Sequence, residues 1–403
     1  MSWFRRLCLP LVLVGATTAW SQSTAEPDPR VSPPAIAFPD WKLEATYEVS
    51  SEYSVSFPSA VTTEYPENNL VPLKIFLPVE GTGPFPVVLV AHYWGASDLR
   101  SEVSLANELV RRGIACAIIT LPYHLSRTPA KRRSGELAVV PDVPSLRKTM
   151  YQSLQDARRS LDFLNSRPEF KRAPLGMSGT SLGAIVTAFT YAVDDRVSHA
   201  AFLLGGIDLA DVLWNSSRVV QQREVLRQKG YSESRLRTEL AAVEPRNYLP
   251  RTAPGSAFAI SGKFDTVIPE KSSSALVDGI PGAKTLTINT GHYGGIFVQR
   301  RLLREIADFF GTEFSGVTYV PPKRIFAPTI RLGISYDTRG TFDVGAGVDL
   351  WRPDRSGKHT LTLFASPRGL SLWAIRELRS GLSVGIAARV DHISLGILWS
   401  TVL

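Results

Sequence analysis

The hydrophobic pattern changes its period twice along the chain. Between residues 41 and 57, and again over 71–77, apolar and polar positions alternate, which predicts strands. From residue 87 onward, short continuous apolar runs replace this alternation. Val87 to Ala91 and Ile114 to Ile119 are two such runs, as expected for parallel strands that are covered on both faces.

Helical periods separate these runs. Between Leu146 and Leu164, apolar residues recur at steps of three and four, which predicts a long amphipathic helix. The alternation of strands and helices predicts an α/β domain with a mostly parallel sheet flanked by helices. Further helices are predicted over 101–111, 182–192 and 296–310, and further strands over 174–177, 200–204, 257–261 and 285–288.

After about Phe314 the period returns to two. Residues 342–350, 382–390 and 393–399 each form an alternating apolar face, with turns at 338–340 and 379–381. The pattern predicts a separate antiparallel all-β module of about six strands over 315–403. One interpretation is a small soluble sheet packed on the rest of the chain or on another subunit. The other is membrane strands, which Trp351 and Trp399 near strand ends would suit, but a membrane barrel normally has at least eight strands. The strand count therefore favours the soluble or interface interpretation.

The first 25 residues have the pattern of a secretory signal peptide. Arg5 and Arg6 precede a short apolar stretch, and small residues follow near residue 23. We therefore expect export to the periplasm, the outer envelope or the medium, with a retained membrane anchor as the alternative. A Pro-rich linker is predicted over 26–40. Because Cys8 lies in the leader, Cys116 is the single cysteine of the mature chain and is predicted to be buried without a disulfide.

Composition narrows the function classes. The chain has 403 residues, of which 44% are hydrophobic and 20% charged, as in a globular protein with one large and one smaller domain. The net charge is +8, but its basic residues are scattered and no nucleic-acid motif accompanies them. The short run Lys131, Arg132 and Arg133 is predicted to be a solvated loop. We see no phosphate-binding loop and no Cys/His metal cluster, so neither a cofactor nor a metal is expected.

The strongest chemical motif is Gly179-Thr180-Ser181-Leu182-Gly183, which matches G-x-S-x-G. A predicted strand ends just before it and a predicted helix begins just after it. In such a turn, small flanking residues let the backbones approach, and the serine hydroxyl projects from the end of the strand. Ser181 is therefore the candidate nucleophile.

Residues 41–314 resemble the α/β-hydrolase superfamily, in particular its dienelactone-hydrolase and acyl-esterase-like members. That resemblance implies an acyl-transfer enzyme with the order nucleophile, acid, histidine. It implies His292 as the base and Asp265 as the acid that orients it, with Asp208 as the rival acid. The motifs that carry the resemblance are the serine turn, Ala91-His92-Tyr93-Trp94-Gly95, Gly262-Lys263-Phe264-Asp265 and Gly291-His292.

The resemblance also implies an oxyanion hole made of the backbone N–H groups of Leu182 and Tyr93, with Trp94 as an alternative to Tyr93. His92 is expected to be structural. A cap is predicted over about 209–246, where Trp214 is either a pocket wall or a core residue, and a polar insertion over 121–143 is a second candidate cover.

Three functions remain open at this point. The first is an exported carboxylesterase with a small-molecule ester substrate. The second is a peptidase or amidase on the same scaffold. The third is a catalytically silent envelope-binding module, held at a membrane or a subunit by the C-terminal β module.

Overall fold

The structure is a computed structural model that describes residues 28–251, 255–325, 327–351, 358–379 and 381–403. The predicted signal peptide over 1–25 lies outside these ranges, as does Ser380 in the predicted 379–381 turn. Within the described residues, no helix is both long enough and apolar enough to cross a membrane. Residues 28–40 have no regular structure and lie along the surface of the α/β unit, where Arg158 donates hydrogen bonds to the Pro29 and Val31 carbonyls.

A nine-stranded sheet forms the centre of the larger unit. Its order is β1-β2-β3-β5-β4-β6-β7-β8-β9, antiparallel as far as β5 and parallel from β5 to β9. The strands are β1 (Lys42–Thr46), β2 (Ser50–Pro58), β3 (Leu70–Pro78), β4 (Val87–Ala91), β5 (Ala115–Ile119), β6 (Leu175–Thr180), β7 (His199–Leu203), β8 (Ser256–Gly262) and β9 (Lys284–Ile288).

Helices cover both faces of this sheet, so its central strands are buried on both sides. In β4, Leu89 packs in the core on one face and Val90 in the core on the other. The helices are α1 (Arg100–Val110), α2 (Val143–Ser166), α3 (Leu182–Val193), α4 (Leu209–Asn215), α5 (Val220–Gln228), α6 (Glu233–Glu239), α7 (Glu270–Asp278) and α8 (Gln299–Phe314).

A separate six-stranded antiparallel barrel follows α8. Its strands are consecutive in space, and β10 pairs with β15 to close the barrel. The sequence predicted the six antiparallel strands but not this closure, which depends on pairing the first strand with the last. The strands are β10 (Ile330–Asp337), β11 (Phe342–Trp351), β12 (His359–Ser366), β13 (Gly369–Arg379), β14 (Leu382–Ala388) and β15 (Ile393–Val402).

The predicted fold class is confirmed: a mostly parallel sheet flanked by helices, plus a C-terminal antiparallel module. Two details differ from the prediction. The helix expected to begin at Ile296 begins instead at Gln299, after a 3-10 turn over Gly294–Val298. Helix α7 was not predicted, because its nine residues contain few apolar positions and only Ser272 and Leu276 are buried.

Candidate active site

Ser181 lies in a strained turn between β6 and α3. Its φ of 54° and ψ of −113° fall outside the regions that L residues favour, at a cost of about 1–3 kcal/mol. The turn is held on both sides, because the Ser181 amide donates to the Leu203 carbonyl at 2.9 Å and its own carbonyl accepts from Ala184 and Ile185 in α3. The surrounding hydrogen bonds therefore fix the side chain at the carboxyl edge of the sheet.

The two glycines of the motif are required by close backbone approach. A Cβ on Gly179 would lie 2.2 Å from the backbone of Gly183, and a Cβ on Gly183 would lie 2.2 Å from the Ala91 carbonyl oxygen. Neither position can accept a side chain without moving backbone atoms. The spacing of the motif thus reflects the packing of α3 against β4 and β6.

His292 and Asp265 meet Ser181 in a line of hydrogen bonds. The Ser181 Oγ lies 3.0 Å from His292 Nε2, and His292 Nδ1 lies 2.7 Å from Asp265 Oδ2. The other carboxylate oxygen, Oδ1, accepts from the backbone N–H groups of Val267 and Ile268, both at 2.8 Å. These bonds fix the carboxylate in the loop after β8, so the structure brings together the three residues that the resemblance implies.

The rival acid, Asp208, serves a different purpose in the structure. It is the N-cap of α4, where its side chain accepts from the Asp211 N–H at 3.2 Å, and its backbone is left-handed with φ of 71°. Its buried carboxylate forms ion pairs with Arg237, Arg246 and Lys271. Asp208 therefore anchors the cap region, and the contact to His292 comes from Asp265.

Two buried histidines hold the loop after β4. His92 Nε2 accepts from the Leu121 N–H at 3.0 Å, and His124 Nε2 accepts from the Gly95 N–H at 3.0 Å. Each imidazole must therefore carry its proton on Nδ1, which lies 2.9 Å from the Tyr93 carbonyl in His92 and 2.8 Å from the Pro122 carbonyl in His124. Burial lowers the pKa of His92 to about 3 and that of His124 to about 4. Both rings are consequently neutral, and each holds the loop after β4 through its hydrogen bonds. This is the structural role that was expected of His92.

The candidate oxyanion donors border the same space. Leu182 is the first residue of α3, where the N–H groups have no acceptor within the helix. Within the described part of the chain, the backbone N–H groups of Tyr93 and Trp94 donate to no backbone carbonyl, so both could donate to a substrate oxygen. Tyr93 and Trp94 line a cleft together with Ser181 and His292. The choice between Tyr93 and Trp94 as donor stays a prediction.

Ser181 lies between two cavities of different character. The inner one, of about 90 Å³, is almost entirely apolar and is walled by α2, α3 and the cap region. The outer one, of about 390 Å³, is a more open cleft that contains His292. Apolar residues of the inner wall include Leu121, Leu146, Met150, Ile185, Val212, Leu213 and Leu240.

Arg218 is a site residue that sequence reasoning missed. Its side chain borders both cavities, lies 4.8 Å from the Trp94 ring and donates to the Tyr293 hydroxyl at 2.6 Å. Its guanidinium donates hydrogen bonds to the Tyr293 hydroxyl and to the Trp94 carbonyl. The sequence around Arg218 does not indicate that its side chain borders the active site, because its contacts come from loops more than 70 residues away in sequence.

The cap and the polar insertion contribute unequally to the cavity wall. Residues of α4 and of the connection to α5 line the inner cavity, as predicted for a cap. Trp214 is not in the cavity lining; it is half-buried against the core and packs under the Arg227 guanidinium. Lys131, Arg132 and Arg133 are exposed as predicted, while Ala138 and Val139 of the insertion reach the cavity.

The His292 loop is held from outside by the C-terminal barrel unit. The Leu403 carbonyl accepts from the Gly291 N–H at 2.8 Å and from the Thr290 hydroxyl at 2.9 Å. The Thr329 hydroxyl, just before β10, donates to the Asn289 carbonyl at 2.5 Å. The end of the barrel therefore supports the loop that carries His292, which no local sequence pattern could have indicated.

Elsewhere, the ionisable residues give little sign of further chemistry. In the described ranges, no group of three or more His, Cys, Asp or Glu side chains is placed to hold a metal ion. Cys116 is buried and free, and burial raises its pKa.

The sequence matches no protein-family model and no curated protein. Solved structures are similar in fold. An acetyl xylan esterase from Paenibacillus sp. R4 is 18% identical with a TM-score of 0.53, over 67% of this chain and 87% of that one. Acetyl xylan esterase 1 from Thermoanaerobacterium sp. JW/SL YS485 is 15% identical with a TM-score of 0.48, over 66% and 87%. At such identities the likeness concerns the fold, and together with the strand order and the serine turn it shows that the larger unit of this chain has the α/β-hydrolase fold.

Proposed function

We propose that this protein is a serine hydrolase that cleaves carboxylic esters through an acyl-enzyme. The observation that carries the proposal is the line of hydrogen bonds from Ser181 Oγ through His292 to Asp265, on a strained turn at the carboxyl edge of the sheet. A serine hydroxyl becomes a useful nucleophile when a base can take its proton. A catalytically silent module would have no need of this geometry.

The mechanism has two acyl-transfer steps. Ser181 Oγ attacks the ester carbonyl while its proton passes to His292 Nε2, and Asp265 stabilises the imidazolium through Nδ1–H. The tetrahedral oxyanion accepts from the Leu182 N–H and from the Tyr93 or Trp94 N–H. Collapse breaks the C–O bond, and the alcohol leaves with the proton from His292. Water then attacks the acyl-enzyme by the same route and releases the acid.

We assign the acyl part and the alcohol part of the ester to different cavities. The apolar inner cavity suits the acyl chain, and the wider cleft beside His292 suits the alcohol, since His292 must reach the leaving oxygen to protonate it. Arg218 lies where the two meet. A peptidase or amidase remains an outcome of the substrate test.

Labelling by a fluorophosphonate probe tests the activated serine directly. We expect the wild type to label and Ser181→Ala to lose both labelling and at least about 10³-fold of its turnover. Ser101→Ala is the matched control, because Ser101 lines the same cleft but its hydroxyl accepts from Gln299 and lies near no histidine base. Equal labelling of Ser181→Ala and wild type would refute the assignment.

A substrate panel then separates bond types. Short- and medium-chain nitrophenyl esters, acetylated xylan and the matching anilides would be compared as substrates. We expect ester turnover to exceed amide turnover, because the oxygen leaving group departs more readily from the tetrahedral intermediate than an amide nitrogen, which His292 must protonate first. Higher turnover of anilides would favour the amidase.

We also propose that the protein is exported. The support is the charged, apolar and small-residue pattern of residues 1–25. Fractionation of cells that express the full chain, followed by N-terminal sequencing of the product, tests export and cleavage together. A product that begins at residue 1 and stays in the cytoplasm would contradict it.

A further inference from the structure

The barrel has its polar residues inside. Arg331 and Asp349 form an ion pair at 2.7 Å with side chains only 3% and 2% exposed, and Arg389 pairs with the buried Asp343 at 2.5 Å. Between them the interior holds a small apolar cluster, chiefly Phe364 and Trp373, whose side chains are fully buried. The buried polar residues of the strands are Arg331, Ser335, Asp337, Asp343, Thr360, Thr362, Ser371, Ser383, Ser394 and Ser400.

The outer surface of the barrel is apolar around its whole circumference. All six strands contribute outward apolar residues, and the charged residue Arg376 projects outward among them from β13. A protein partner would cover one face of such a barrel, whereas a fluid apolar solvent covers every face. The exposed large apolar residues are Leu332, Tyr336, Phe342, Val344, Val348, Leu350, Trp351, Leu363, Leu370, Leu378, Val384, Ile386, Ile393, Leu395, Ile397 and Trp399.

Aromatic side chains mark both ends of this apolar band. Tyr336 and Phe342 flank the turn at the far end, and Trp351 and Trp399 project outward at the end nearer the hydrolase unit. Strands of about nine residues, tilted as in barrels, span roughly 20–25 Å, close to the ~25 Å apolar band of outer-membrane barrels. The strand length, the aromatic residues at both ends and the polar interior of the barrel therefore all resemble those of outer-membrane barrels.

We propose that this barrel is embedded in a phospholipid bilayer and holds the hydrolase unit at the bilayer surface. The barrel has two strands fewer than membrane barrels normally have, and its buried ion pairs with the apolar outer surface are the observations that favour the bilayer over that count. The end that carries Trp399 is the one whose Leu403 supports the His292 loop. The active site consequently lies at the membrane–water boundary, beside the exposed Ile296 and Phe297 of the cleft wall.

Flotation with vesicles tests the insertion. The full-length mature protein, purified in detergent, would be reconstituted with phosphatidylcholine and phosphatidylglycerol, washed with carbonate and floated on a density gradient. We expect the wild type to float with the vesicles. Val344→Lys/Ile386→Lys places two charges within the apolar band on β11 and β14, which lie on opposite sides of the barrel, and should reduce the floating fraction by about tenfold or more.

The matched control carries the same change on the hydrolase unit. Leu43 and Leu70 are 52% and 51% exposed, against 56% and 49% for Val344 and Ile386, so Leu43→Lys/Leu70→Lys should float like the wild type. Fluorophosphonate labelling of the two lysine variants, and circular dichroism of every variant, show whether the hydrolase unit remains folded. Ser181→Ala should also float, so that a failed enzyme assignment and a failed membrane assignment give different results.

Depth-dependent quenching provides a second reading if the barrel variant misfolds. Lipids brominated near the headgroup should quench tryptophan fluorescence of the wild type, and Trp351→Phe/Trp399→Phe should lose most of that quenching. Two results would overturn the proposal. One is a wild type that stays soluble and self-associates with rising concentration, which assigns the apolar surface to a second copy; the other is a barrel variant that floats as well as the control.

Discussion

The two β-structures of this molecule follow opposite rules of burial. In the parallel sheet every residue of β4 and β5 is buried, because helices cover both faces. In barrel strands β11 and β15 the exposed positions alternate with buried or half-buried ones along most of each strand, and all the exposed residues except Thr401 are apolar. Continuous apolar strands and alternating strands therefore lie in two different environments. Exclusion of apolar side chains from water accounts for the first arrangement, and the proposed insertion in a bilayer accounts for the second.

In both regions, nevertheless, a buried charge is paired with an opposite charge. Arg127 and Asp156 form a fully buried pair in the hydrolase unit, and Arg331 and Asp349 form one in the barrel. Each carboxylate has a further hydroxyl donor, from Ser59 and from Thr362 respectively. The comparison teaches that the direction of apolar side chains, and not the presence of buried charge, distinguishes the two units.

The largest expected effect is a loss of catalysis on substitution of Asp265, with no change in the structure of the barrel. Asp265→Asn should lower kcat by about 10⁴-fold, because the amide no longer holds the His292 tautomer that accepts the serine proton. Asp208→Asn should lower stability by unpairing the cations around α4 while most of kcat remains. Steady-state kinetics and urea unfolding of both variants check this. A greater kcat loss in Asp208→Asn would reverse the assignment.

The second prediction compares the two buried ion pairs. Arg331→Met removes the guanidinium that lies 2.7 Å from the buried Asp349 carboxylate, and Arg127→Met removes the one that lies 2.8 Å from Asp156. Each change should lower the free energy of unfolding by about 3–5 kcal/mol. The double change Arg331→Met/Asp349→Leu should recover most of the loss in the barrel. Urea unfolding in detergent micelles measures all three. A near-neutral Arg331→Met would mean that water enters the barrel interior, which would break the comparison.

The third prediction is acid sensitivity confined to the hydrolase unit. The pKa of His92 and that of His124 are lowered by burial, so their stabilising effect is complete above pH 6.5 and is lost as pH falls towards 3–4. Between pH 7 and pH 5 this amounts to about 2 kcal/mol for each histidine. Burial raises the pKa of Glu102 to about 7, which acts in the opposite direction.

A variant separates these two contributions. His124→Gln retains an acceptor for the Gly95 N–H but does not titrate, so the difference in unfolding free energy between wild type and variant isolates this histidine. We expect that difference to shrink as pH falls from 7 to 5, while vesicle flotation stays unchanged. A difference that is constant with pH would show that His124 does not titrate in this range.

The smallest effect lies where the two units meet. Thr290→Val removes the hydroxyl that donates to the Leu403 carbonyl and should cost about 1 kcal/mol of stability, with a several-fold loss of kcat from a looser His292 loop. Thr285→Val is the control, because its side chain is exposed on β9. Kinetics and thermal unfolding distinguish them. Equal kcat values for the two variants would show that the barrel contact does not position His292.

The sequence itself determined the elements and the candidate chemistry. Continuous apolar runs specified the parallel strands, steps of three and four specified α2, and the G-x-S-x-G motif singled out Ser181. These signals are local, because each depends on neighbouring residues in one strand, one helix or one turn. The six strands after residue 314 were predictable for the same reason.

Tertiary structure decided what depends on distant contacts. It placed Asp265 against His292 and Asp208 at the N-cap of α4, a choice that spacing left open because either loop lies at the carboxyl edge of the sheet. It also closed the barrel through β10 and β15, and this closure assigned one face of every strand to the interior. An alternating strand specifies two faces but not which one is inside, since that depends on the medium around it. The polar interior, the apolar exterior and the contact of Leu403 with the His292 loop therefore appeared only in the folded chain.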